Sequence, residues 1–159
     1  YCYNDLTANC DIYGGLYQWD EAMTYITTAG AQGVCPSGWH IPTDAQLCTL
    51  KTFVDATVNC SLWANSGTDA GGKLKETGTA HWTSNTGATD TYGFTGLPGG
   101  YLYLTDFQAQ GSFGYLMSST LVSGGATYPV TEMKGYTAQI GVSGANRNSF
   151  KTTIRCLKD

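Results

Sequence analysis

Gly33-Val34-Cys35-Pro36-Ser37-Gly38-Trp39-His40-Ile41-Pro42-Thr43-Asp44-Ala45-Gln46 carries the most structural information in the chain. Its first ten residues read as a turn and a short extended piece. Thr43-Asp44-Ala45-Gln46 then has the pattern of a capping box: a Thr at the helix N-cap and a Gln three residues on, each satisfying the other's backbone N–H. A helix is expected to follow, with Leu47, Leu50 and Val54 on one face. Cys48 lies on that helix and Cys60 just beyond it.

Toward the N-terminus, residues 19–29 (WDEAMTYITTA) suggest another helix. Ala22, Met23 and Ile26 form a short apolar stripe, and Asp20 and Glu21 suit the positive end of the helix dipole. Residues 1–16 are turn-rich, and a Cys2–Cys10 disulfide there would restrain an end that otherwise frays. Toward the C-terminus, residues 64–92 are rich in Gly, Ser, Thr, Asn and Asp and read as long loops, with Leu74 and Trp82 as the main large apolar residues. Beyond Pro98-Gly99-Gly100, short alternating segments at 101–104, 114–118, 127–133, 137–142 and 152–157 read as antiparallel strands. Helices first and strands last indicate an α+β domain. One domain spans 1–159, with a two-helix half (1–60), a loop-rich middle (61–100) and a strand-rich part (101–159).

Composition narrows the function classes. The 159 residues include six Cys, 21 Gly and 11 Tyr, with a net charge of −4. Residues 1–100 carry nine acids against three Lys or Arg, and residues 101–159 three acids against five. Neither part has a basic run, which argues against nucleic acid. No apolar stretch approaches the ~18–20 residues of a membrane span. No signal peptide is seen. An even cysteine count without CxxC favours disulfides over zinc, hence an oxidising, extracellular or cell-surface setting. The expectation is a mature exported chain, or one trimmed at its start.

Several phrases occur together in order: Cys2-Tyr3-Asn4 through Cys10, Tyr17-Gln18-Trp19, the Gly33–Asp44 phrase, Leu74-Lys75, Tyr92-Gly93-Phe94, Leu97-Pro98-Gly99-Gly100-Tyr101, Ser118-Ser119-Thr120 and Arg155-Cys156-Leu157-Lys158-Asp159. Along essentially the whole chain this resembles the Fibrobacter succinogenes major paralogous domain. The resemblance implies a C-type-lectin-like fold related to that of the formylglycine-generating enzymes. Such domains occur on secreted and cell-surface proteins, some behind lipoprotein or pilin-like leaders. Some relatives are variable proteins of diversity-generating retroelements, whose C-terminal part tolerates extensive change. Two departures fall in that part: Leu116-Met117 stands where the family usually has Trp-Trp, and Lys151-Thr152-Thr153-Ile154 replaces a Gly-Phe-Ser-Val phrase. The disulfide pairing expected with this resemblance is Cys2–Cys10, Cys35–Cys156 and Cys48–Cys60, the second joining the first third of the chain to its end.

The candidate chemistry is recognition. Residues 101–150 hold five Tyr, six Ser and seven Gly with four charges, a mix that antibody paratopes use and that strands and turns also produce. The resemblance favours a binding face, expected to use Tyr103, Thr105, Gln108, Gln110, Phe113, Tyr115, Tyr128, Thr131, Tyr136, Gln139, Asn146 and Asn148. Strand alternation means that about half of such a set faces inward. His40 is expected to be structural and His81 a loop residue. Asn65, Asp69, Asn85 and Asp90 supply oxygen atoms but read as turn residues rather than a calcium site. No Ser-His-Asp or Gly-x-Ser-x-Gly pattern points to catalysis. The expected function is therefore cell-surface binding of a protein or glycan, without enzyme activity, cofactor or metal. The alternative is a structural or decorating subunit of a surface filament or pilus, which would self-associate.

Overall fold

The computed structural model describes residues 1–159. Thr43 and Gln46 form the expected capping box: Thr43 Oγ1 accepts from the Gln46 amide at 3.2 Å, and Gln46 Oε1 accepts from the Thr43 amide at 2.8 Å. The helices are α1 (Thr7–Tyr13), α2 (Trp19–Ala22), α3 (Asp44–Val54) and α4 (Ala70–Leu74), preceded by a 3-10 turn at Tyr3–Asp5. α3 buries Leu47, Lys51 and Val54. The Lys51 ammonium has no hydrogen-bond partner, and burial lowers its pKa.

The helix expected over 19–29 ends after Ala22. The Val34 amide takes the Ala22 carbonyl at 2.9 Å, and Thr24 and Tyr25 turn into the left-handed region. The β-branched run Ile26-Thr27-Thr28 gives helix continuation little support. Trp19, Ala22 and Met23 are buried as an apolar stripe requires, but Ile26 is exposed. Gly33 is needed here: its φ is +56°, and a Cβ would lie 2.3 Å from the Ala22 carbonyl oxygen. Two helices stand where turns and loops were expected. α1 buries no residue and is tied down by the Cys2–Cys10 disulfide. α4 contains Gly71 and Gly72, which lower helix propensity but let Gln139 and Gly87 pack against its backbone.

Ten short strands form three antiparallel sheets. They are β1 (Tyr17–Gln18), β2 (Trp39–His40), β3 (Asn65–Ser66), β4 (Tyr101–Tyr103), β5 (Asp106–Gln108), β6 (Phe113–Met117), β7 (Thr127–Lys134), β8 (Ile140–Asn146), β9 (Phe150–Thr152) and β10 (Leu157–Lys158). The orders are β1-β9-β4-β5, β3-β8-β7-β6 and β10-β2. The strand expected at 137–142 begins later, at Ile140. The one expected at 152–157 is split into β9 and β10. Between them Arg155 leaves the ladder to bond the Phe94 and Thr95 carbonyls. The β4–β5 hairpin turns at Leu104-Thr105, without the Gly or Asn that would announce it.

The β3-β8-β7-β6 sheet lies between two apolar layers. One contains Trp19, Met23, Ile41, Tyr115, Met117, Tyr128 and Val130, and the other Leu47, Val54, Leu74, Trp82, Leu116, Met133 and Ile140. Adjacent residues of β6 thus enter opposite layers, as a pleated strand requires. Both buried indoles are satisfied: Trp19 Nε1 donates to the Ser118 carbonyl at 2.9 Å and Trp82 Nε1 to the Gly96 carbonyl at 3.1 Å. Disulfides join Cys2 to Cys10, Cys35 to Cys156 and Cys48 to Cys60. His40 links β2 to the chain end, with Nδ1 2.6 Å from Asp159 Oδ1 and Nε2 3.1 Å from Gln46 Oε1. The Asp159 hydrogen bond raises the His40 pKa. His81 lies in a loop, against the Glu76 carboxylate.

Asp55 organises the loop after α3. Its carboxylate accepts from the Thr57 amide and hydroxyl at 2.9 and 2.6 Å and from the Thr68 and Asp69 amides at 2.5 and 3.0 Å. Burial raises its pKa, but these donors together outweigh burial and hold it well below the ordinary carboxylate value.

Two stability predictions follow from these contacts. Replacing Cys35 and Cys156 by Ser is expected to cost about 4–5 kcal/mol, against about 2–3 for the Cys2/Cys10 pair, because the enclosed loop is longer; urea unfolding of the two variants checks the order. Asp55→Asn is expected to cost about 2–3 kcal/mol at pH 7. The unfolded carboxyl titrates near 3.8 and the folded one lower, so this contribution is present above pH 4 and is lost as pH falls through the folded value. Thermal melts of both proteins between pH 2 and 7 should converge at the acid end.

Candidate functional site

Beside the layer containing Trp19, the same side of the β3-β8-β7-β6 sheet carries a polar group and a row of aromatic rings. Cross-strand register puts Phe113 opposite Lys134, Tyr115 opposite Glu132, and Gly141 opposite both Glu132 and Asn65. Partners in register share a face, so these residues line the continuation of the surface that carries Met117, Tyr128 and Val130. Four polar side chains meet over Gly141. Lys134 Nζ lies 2.8 Å from Glu132 Oε2 and donates to Asn65 Oδ1 at 2.9 Å; Ser143 Oγ donates to Glu132 Oε1 at 2.6 Å. A Cβ at residue 141 would lie 2.9 Å from both Asn65 Oδ1 and Glu132 Oε2, so glycine makes room for the group.

An aromatic row continues from this polar group. Ring centroids are 6.0 Å apart for Tyr136–Phe113, 5.9 Å for Phe113–Tyr115, and 5.5 Å for Tyr115 with both Tyr101 and Phe150. Tyr101 and Phe150 stack at 4.6 Å, and the Tyr101 hydroxyl donates to Gln108 Oε1 at 2.7 Å. Offset and edge-on contacts of this kind hold rings in fixed positions. The Lys134 ammonium lies 6.0 Å from the Phe113 ring. Burial, then the neighbouring Glu132 charge, raises the Tyr115 pKa, so its hydroxyl stays protonated. Tyr136 is 59% exposed, Phe113, Lys134 and Ser143 are half-buried, and Glu132 and Tyr115 are buried, so the row meets solvent mainly at its Tyr136 and Phe113 end.

Of the residues expected from sequence, Phe113, Tyr115, Tyr136 and Gln108 come together here. Tyr115 contributes little surface, being 6% exposed. Two expectations are corrected. Tyr128 is core: its ring packs against Trp19 and its hydroxyl donates to the Phe150 carbonyl at 3.3 Å. Thr131 is buried on the opposite side of the sheet, where alternation places it with Met133. The others lie apart from the row. Tyr103 and Thr105 are exposed at the β4–β5 hairpin, and Gln110 is half-buried after β5. Gln139 is held by a 2.9 Å bond to the Gly67 carbonyl, and the Asn146 side chain accepts the Asn148 amide within the β8–β9 turn.

Sequence reasoning missed Asn65, Tyr101, Glu132, Lys134 and Phe150. The Glu132-x-Lys134 spacing does place both charges on one face of a strand, but which face stays open depends on how the strands pair. The four turn residues weighed for calcium have separate partners: Asn65 holds Lys134, Asp69 pairs with Lys73, Asn85 donates to the Glu76 and Gly78 carbonyls, and Asp90 accepts from Thr95. No three His, Cys, Asp or Glu side chains are grouped to hold a metal ion. No helix is long and apolar enough to cross a membrane.

No curated protein and no solved structure matches the chain. The Fibrobacter succinogenes major domain matches residues 1–158, almost the whole length, and the chain belongs to that family.

Proposed function

We propose that this is a non-catalytic recognition domain of C-type-lectin-like architecture, working outside the cytosol and binding a protein partner through the face around Phe113, Tyr136 and Lys134. The observation that carries this reading is the convergence of five aromatic rings with an internally paired Glu132–Lys134 group, exposed at its Tyr136 end. Tyr and Phe offer large contact area at low entropic cost, the usual make-up of energetic anchors in interfaces. Small ligands favour concave sites, whereas an open face suits a macromolecular surface. Three disulfides support an oxidising location. The lectin-like reading draws its support from short helices beside antiparallel sheets and from pairing of the N-terminal strands β1 and β2 with the C-terminal strands β9 and β10.

The test is a binding screen of the oxidised domain against surface proteins and glycans, in parallel with a Phe113→Ala/Tyr136→Ala variant. A protein ligand is expected whose affinity falls about 30-fold or more in the variant, equivalent to at least ~2 kcal/mol. Binding should survive EDTA and vary little with salt, since the face carries a paired acid and base. A ligand that the variant retains, or one lost with EDTA, would sink the reading. Oligomers that grow with concentration, without a ligand, would favour a filament subunit.

A further inference from the structure

Lys75 follows α4 and is completely buried, with its ammonium 5.4 Å from the Trp82 ring centroid. Nζ donates to the carbonyls of Thr86, Lys134 and Thr137 at 3.0, 2.9 and 3.0 Å. An ammonium has three donors, and all are used. No carboxylate pairs with it. Two of the acceptors flank the turn between β7 and β8, and the third belongs to the loop at 84–87. This turn carries Tyr136, whose side chain is 59% exposed and meets Phe113 in the aromatic row.

Beside the Gln139 Nε2 bond to the Gly67 carbonyl and the Gln139 amide bond to Thr137 Oγ1, the turn is held by main-chain contacts. The Gly135 amide donates to the Ser112 carbonyl at 2.9 Å, the Thr86 amide to the Gly135 carbonyl at 2.7 Å, and the Gly72 amide to the Ala138 carbonyl at 2.9 Å. A Cβ on Gly135 would lie 2.4 Å from the Ser84 carbonyl oxygen, and one on Gly87 2.6 Å from the Ala138 Cβ. These backbones are therefore in direct contact.

We infer that Lys75 is a positioning residue for the recognition face: its buried ammonium fixes the β7–β8 turn through backbone carbonyls, so the placement of Tyr136 depends on Lys75. A cation ligated by main-chain oxygens holds a loop in the same geometric way. An apolar replacement would leave three carbonyls short of a partner in a region closed to water. Burial lowers the Lys75 pKa to about 8, while the three acceptors favour the charged form. The inference rests on the proposed face, but its test needs no ligand.

Amide hydrogen exchange is compared for the wild-type protein, Lys75→Met and Tyr136→Ser. In Lys75→Met the amides of Gly72, Thr86 and Gly135 are expected to exchange at least tenfold faster, while Val130 and Met117, at the other end of the sheet, stay within twofold. General destabilisation would instead accelerate all five. Tyr136→Ser is expected to leave all five within twofold. Unchanged exchange at Gly72, Thr86 and Gly135 in Lys75→Met, uniform acceleration, or equal loss in Tyr136→Ser would overturn the inference. If Lys75→Met fails to fold, reductive methylation of the wild-type protein with 13C-formaldehyde decides. Lys75 should react at least 100-fold more slowly than the exposed Lys158, and equal rates would overturn it. Failure of the domain to bind any partner would remove the proposed function and leave these exchange results standing.

Discussion

Pairing between the two ends of the chain organises the rest of the molecule. β1 lies beside β9 and β2 beside β10, with the Cys35–Cys156 disulfide between the same regions. These contacts join segments more than a hundred residues apart, so a large loop-closure entropy is offset late and by many groups together. The intervening chain is confined by that closure to building a sheet with an apolar layer on each side. The α2 end of the molecule supplies Trp19 to one layer, and Arg147 stacks 5.0 Å over its ring while pairing with Asp20. Beyond that layer the same side of the sheet is covered by the paired Glu132 and Lys134 side chains, with Tyr136 exposed at its rim.

The part of the sheet around Glu132 and Lys134 differs from an unfinished core. Its charges are paired with each other, and the Glu132 oxygens also take a hydroxyl from Ser143. Half-buried groups of this kind lose little when a partner excludes water, because their hydrogen bonds are already made. The aromatic rings are likewise held by one another before any partner arrives. A pre-ordered surface avoids part of the entropic cost of association.

Features set by local chemistry were the most readable in the sequence. The Thr43–Gln46 box needs only four residues and has one geometric solution, so α3 was evident. Alternation marked β6 and β7 because their side chains enter opposite apolar layers. α2 was overestimated because its end is imposed by Val34, a residue eleven positions past Thr24's predecessor Met23 that takes a helix carbonyl from outside. α1 buries no residue and depends on a disulfide; the only side chains that α4 buries are those of Ala70 and Leu74, and its two glycines hide it in the sequence. In the site, Phe113 and Tyr136 lie in the segments that the family resemblance marks as tolerant of change. Excluding Tyr128 and Thr131, and finding Asn65 and Phe150, required the strand register, which is a tertiary property.

The Cys35–Cys156 bond has a mechanical consequence. Tension applied between Tyr1 and Asp159 would cross from residue 35 to residue 156 through a covalent bond, bypassing the 121-residue separation between them. Without it that span could lengthen by roughly 400 Å at about 3.3–3.6 Å per residue. With it, the layer containing Leu47, the aromatic row and the Lys75 site lie outside the load path, whereas Trp19 and Met23 of the other layer lie on the segment that carries the load. Tension applied at the two ends therefore acts on the segments before Cys35 and after Cys156 first, and the face around Phe113 and Tyr136 keeps its shape until Trp19 is pulled from its layer.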